Sequence, residues 1–138
     1  MIEKFRIHIV HTGFILLMVF LLSSCEGETT YTQRVTNFSS DTIALQIISQ
    51  YDNTVDYVFL TPGKSETLFV LSKLGGDESA PNCTFEIDSV IVFITSGKTL
   101  KKDFTNPNDW THTYYSRNNG RFVDQYCDFE IFPIDLEN

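Results

Sequence analysis

A chain of 138 residues with 18 acids against 10 bases, a net charge of −8 and 42% apolar residues has the length of one ordinary domain and enough apolar material for a core. The acidic balance excludes a nucleic-acid footprint, since phosphate backbones are repelled and the only clustered bases are Lys98, Lys101 and Lys102. It equally disfavours electrostatic docking on an anionic membrane.

The chain opens with Lys4 and Arg6, followed by an apolar run over residues 13–22 that is shorter than the roughly 20 residues a spanning helix needs. His8 and His11 interrupt any longer span. The run closes in Leu22, Ser23, Ser24 and Cys25, which resembles the lipobox of bacterial lipoproteins. That resemblance implies cleavage before Cys25, diacylglycerol on its sulfur and an acyl chain on its freed amine. The competing readings are a plain secretory signal, which prefers an A-x-A-like site, and an uncleaved anchor. Residues 1–24 are therefore expected to be a lipoprotein signal peptide, 25–30 the lipidated cysteine and a small acidic tether, and 31–138 the domain. Without residues 1–24 the net charge becomes about −9. Attachment to the membrane is then through lipid on Cys25, and the expected location is the cell envelope.

Strand signals follow throughout. Tyr31, Val35 and the β-branched Thr30, Thr32 and Thr36 suit a half-buried edge strand, and residues 37–41 suit a turn. Ile43, Leu45 and Ile47 alternate with Thr42, Ala44 and Gln46, and Val55, Tyr57 and Phe59 repeat the pattern. Thr61-Pro62-Gly63-Lys64 has the residues of a type II turn, and residues 65–71 return as a strand. Residues 73–81 are polar and rich in breakers, which predicts a long surface loop. The most apolar run, Val90-Ile91-Val92-Phe93-Ile94, predicts a central strand covered on both faces, with Ser96-Gly97 reversing the chain into residues 98–104. Asn118-Asn119-Gly120 accepts positive φ and predicts a hairpin turn before the strand over 121–132. There Val123, Cys127, Phe129 and Ile131 share one face, opposite Asp124, Asp128 and Glu130, and Pro133 stops the strand.

No stretch after residue 25 shows an apolar period of 3.6, so some eight short strands predict an all-β, antiparallel β-sandwich. Immunoglobulin-like is the most economical name, with a small barrel as the alternative. Lipobox, acidic tether and one small β domain together, with Asp88-Ser89-Val90 and the segment up to Phe104, resemble the small lipoproteins of Bacteroidota. That resemblance implies an outer-membrane location and a β-sandwich, and transfers no site residues.

With Cys25 assigned to lipid, Cys83 and Cys127 form an even pair in an exported chain and are expected to be disulfide-bonded, two buried thiols being the alternative. Catalytic machinery is sparse. His112 is the only histidine outside the signal; with Asp109 it makes at most half a triad, and no G-x-S-x-G elbow exists. Gly63-Lys64-Ser65 lacks the earlier glycine of a phosphate loop. One histidine and two cysteines do not make a zinc set, and Tyr57 stands where the calcium loop suggested by Asp52, Thr54 and Asp56 needs glycine. No cofactor or metal is expected.

Aromatics offer more. Trp110, Tyr114 and Tyr115 beside Asn106, Asn108 and Asp109 form the candidate binding surface for an envelope protein or a glycan, against the bland reading that such rings fill a core. Residues 73–81 are the second choice. Thr42 and Ser89, each after aspartate and before an apolar residue, resemble O-glycosylation sites of exported Bacteroidota proteins. A non-catalytic, lipid-anchored binding or structural module is the expected function. The alternative is a carbohydrate-active surface enzyme or glycan-binding accessory, using carboxylates such as Asp109 or Asp124.

Overall fold

The structure is a computed structural model that describes residues 27–51 and 53–138. Seven strands of six or more residues run through it: β1 (Glu28–Asn37), β2 (Ile43–Ser49), β3 (Val55–Leu60), β4 (Ser65–Leu74), β5 (Ile87–Ile94), β7 (Thr111–Arg117) and β8 (Phe122–Ile131). Two short pieces, β6 (Thr99–Leu100) and β9 (Leu136–Glu137), pair with each other. One sheet has the order β4-β1-β8-β7 and the other β3-β2-β5. The two pack face to face as a β-sandwich. Val35, Cys127, Phe129 and Ile131 from the four-stranded sheet meet Ile43, Leu45, Ile47, Leu60, Ile87 and Ile94 from the three-stranded one.

The period of two accounts for this core. Positions 33, 35 and 37 of β1, 43 to 49 of β2 and 123 to 131 of β8 are buried at every second residue, while the residues between them are partly exposed. Bulges adjust the pattern twice. Between Gln33 and Arg34 the β1–β4 register shifts, which lets adjacent Leu68 and Phe69 both pack on the core. Opposite Ile48 and Ser49 a second shift turns Ile87 inward.

Turn chemistry is as the residues dictate. Gly63 has φ of +75° at the third position of the turn over residues 61–64, closed by the Lys64 amide on the Thr61 carbonyl at 3.0 Å. Asn118, Asn119 and Gly120 are all at positive φ between β7 and β8. Buried Asn37 organises its turn: its amide donates to the Asp41 and Leu60 carbonyls, and its oxygen accepts from the Ser39 amide and hydroxyl.

Four features depart from the sequence reading. The sandwich is not wholly antiparallel, because β1 and β8, far apart in the chain, lie parallel at the centre of their sheet, so β1 is not the edge strand expected but is paired on both sides. Strand β1 begins at Glu28, inside the expected tether, since Thr29 is buried and its hydroxyl bridges the Gly75 carbonyl and the Asp77 amide. Residues 98–104 do not run back along β5; after β6 the chain crosses so that Phe104 stacks on Phe129 of β8. Finally, β5 is an edge strand rather than a doubly covered one, and Ile91 and Phe93 face outward.

Candidate functional site

The structure does not assemble residues 106–115 into one surface. Trp110 is only 7% exposed, sits edge-on to Phe104 and Phe129, and donates its indole N–H to the Phe104 carbonyl at 2.9 Å. It is therefore core, and the aromatic platform loses its largest ring. Tyr114 and Tyr115, as neighbours on β7, project to opposite faces; Tyr114 stacks on His112 and Tyr115 meets Tyr126 edge-on. Asn106, Asn108 and Asp109 spend their polar groups on each other. Asn106 accepts from the Asn108 amide, and the Asp109 carboxylate accepts from the Asp103 amide and the Asn106 side chain. This is the hydrogen-bonding of a self-capped 3-10 turn.

The carboxylates considered for catalysis are likewise engaged. Asp124 pairs with Arg117 at 2.8 Å. Asp109 does not reach His112, whose Nε2 is 2.7 Å from the Gln125 side-chain oxygen. The three clustered lysines reach acids too: Lys98 to Asp41, Lys101 to Glu137 and Lys102 to Asp135.

The segment that follows β4 is better organised than a surface loop. Cys83 and Cys127 are disulfide-bonded, with Cα atoms 5.5 Å apart, which ties it to β8. Inward-facing polar residues hold the rest. Gln125 donates to the Asp77 and Ser79 carbonyls, and Gln33 donates to the Cys83 carbonyl at 2.7 Å. Loop carbonyls thus replace the apolar partners that the three-stranded sheet supplies elsewhere. Asp77 accepts from the Ser79 hydroxyl and amide, and these bonds hold its carboxyl below the usual carboxylate range. Burial, together with the charge and hydrogen bond of that carboxylate, pushes the Tyr31 hydroxyl up. Asp41, hydrogen-bonded to Lys98 at 3.1 Å, is lowered in the same way as Asp77.

A surface that the sequence reading missed lies on the outside of the three-stranded sheet. Cross-strand register places Phe59, Ala44 and Phe93 in one row, Tyr57, Gln46 and Ile91 in the next, and Val55, Ile48 and Ser89 in a third. Side chains directly opposite in an antiparallel pair share a face, so these nine form one surface, and none is charged. Phe59 is 69% exposed, Tyr57 65%, Phe93 58%, Ile91 45% and Val55 42%. The core side of β3 is instead supplied by Val58 and Leu60. Both parities of β3 and β5 are rich in apolar residues, so alternation alone does not choose the inner face. The missed signal was that surplus: three strands with more apolar side chains than one face holds.

Thr42 and Ser89 fall at the margins of this surface, Thr42 just before β2 and Ser89 in the third row of β5. Cys25 and residues 1–24, the expected signal peptide, lie outside the described residues. No known protein family matches the chain, and no curated protein is significantly similar to it.

Proposed function

We propose that the protein is a lipid-anchored component of the cell envelope that acts by binding another macromolecule rather than by catalysis, and that its docking surface is the outer face of the β3-β2-β5 sheet. The observation that carries this reading is the uncharged patch of Val55, Tyr57, Phe59, Ile91 and Phe93. Scattered apolar residues on a surface mean little, but a contiguous patch of this kind marks an interaction site. The carbohydrate-active alternative loses support from its own residues, because Trp110 is buried and Asp109 and Asp124 are engaged.

Anchoring through Cys25 rests on the Leu22-Ser23-Ser24-Cys25 resemblance. The immunoglobulin-like name draws support from the division into four and three principal strands, while the parallel β1–β8 pair and a disulfide that reaches a loop set this sandwich apart. Two measurements test the proposal. Cys25→Ser abolishes acyl-lipid labelling if the anchor is right, and unchanged labelling refutes it. Phe59→Ser with Phe93→Ser leaves folding intact but removes envelope contacts made by the wild type; contacts that survive the pair of substitutions refute the docking face.

A further inference from the structure

Resting on the docking-face reading, we propose that the occupant of this face is a second copy of the same chain, packed sheet to sheet about a two-fold axis. Area is the first argument. The five large side chains, exposed between 42% and 69%, present on the order of 500 Å². With Ala44, Gln46 and Ile48 between them, the face approaches the roughly 800 Å² a side of a standard stable interface. The face thus lies at the upper end of the roughly 300–600 Å² spanned by the largest apolar patch of an ordinary monomer, a size that often marks a functional surface.

Self-complementarity is the second argument. Strand β2 runs down the middle, with Ala44, Gln46 and Ile48 flanked by the apolar side chains of β3 on one side and β5 on the other, so apolar rows lie to both sides of β2. An axis along β2 lays β3 of one copy over β5 of the other, placing Tyr57 on Ile91 and Phe59 on Phe93, twice over. Two sheets pack face to face in this manner in the aligned β-sandwiches, at about 10 Å with strands within about 30°. Gln46, the polar residue of the middle row, then meets its own counterpart. A carboxamide carries both donors and an acceptor, so the two copies exchange a pair of N–H···O bonds across the axis.

Charge is the third argument. A chain of net charge −8 repels its copy, yet the nine residues of the face carry none of that charge, so contact there buries no like-charged pair.

The test is photo-crosslinking of the full chain in intact cells, with Ile91 replaced by p-benzoylphenylalanine. The expected product has twice the mass of the chain and maps to residues 55–60 of the second copy. In Phe59→Ser/Phe93→Ser it falls at least about tenfold. Both substituted rings are exposed, and a retained Cys83–Cys127 disulfide and unchanged melting confirm that the variant is folded. Tyr57→Ser alone gives a smaller loss. The same photoreactive group at Thr113, on the far sheet, gives no self-product. A product with a different protein, lost in the same variant, overturns the second copy but keeps the docking face. No product, or a self-product indifferent to these substitutions or equally formed from Thr113, overturns both.

Discussion

Gln125, pointing inward from β8, donates its side-chain amide to the backbone carbonyl of Asp77, forty-eight residues earlier in the chain. The same amide reaches the Ser79 carbonyl at 3.0 Å, and its oxygen faces His112. This buried polar residue therefore joins Gln33, Thr29 and the disulfide in holding the segment after β4 against the four-stranded sheet. Gln125→Ala leaves two loop carbonyls without this donor and is expected to destabilise the fold by about 1–3 kcal/mol. The check is denaturant unfolding combined with hydrogen exchange. Amides over 77–82 should lose protection more than those of β2, and uniform change across both would contradict the role of Gln125 as a local clasp.

The disulfide acts on the same segment by a different physical route. It closes a loop with a sequence separation of 44, and restricting the unfolded chain by a loop of that length is worth about 2–4 kcal/mol in the chain-entropy picture. Reductant should lower the melting temperature of the wild type and leave that of Cys83→Ala/Cys127→Ala unchanged. Equal melting of oxidised and reduced wild type would show that the bridge contributes nothing.

Trp110 separates the core reading from the exposed-platform reading. Trp110→Ala removes a buried ring that meets Phe104 and Phe129 and should cost about 3–5 kcal/mol. Trp110→Phe keeps an aromatic filler but loses the N–H to the Phe104 carbonyl, adding roughly 1 kcal/mol for that bond to whatever the smaller ring forfeits. The expected order of urea midpoints is wild type, Trp110→Phe, Trp110→Ala. Midpoints that coincide would place the indole outside the core.

These cases show why some of the structure was legible and some was not. Strands β2 and β8 alternate cleanly, and Gly63 and Asn118 to Gly120 sit where positive φ is required, so local chemistry located the strands and their turns. The Cys83–Cys127 pair followed from simple parity once Cys25 was set aside. Sheet order did not follow, because a parallel neighbour such as β1 for β8 leaves no mark in either sequence. Strands β3 and β5 are apolar at both parities, and their outer faces are visible only in three dimensions. For residues 106–110, composition suggested a binding loop. The same asparagines and aspartate serve a self-capped turn that delivers Trp110 to the core.

Acid sensitivity follows from two carboxylates whose pKa values are lowered in the fold. Asp41 is lowered first by its hydrogen bond from Lys98, with the Ser96 hydroxyl adding to it and burial opposing. Asp77 is lowered first by the Ser79 hydroxyl and then by the Ser79 amide, aided by Tyr31 and the charge of Lys73. A carboxyl that binds its proton more weakly when folded than when unfolded stabilises the fold while both states are ionised. That contribution is complete above the unfolded pKa of about 4 and is lost as pH falls through the lower folded value. Stability linked to these groups should therefore stay level from neutral pH to about pH 5 and fall below about pH 4. Asp41→Asn/Asp77→Asn removes both ionisations. The variant should be less stable than the wild type at pH 7 and should show a shallower acid limb, so that the two melting curves converge as pH drops. Thermal melts from pH 7 to pH 3 decide the matter, and curves that remain parallel over that window would show that neither carboxylate is coupled to folding.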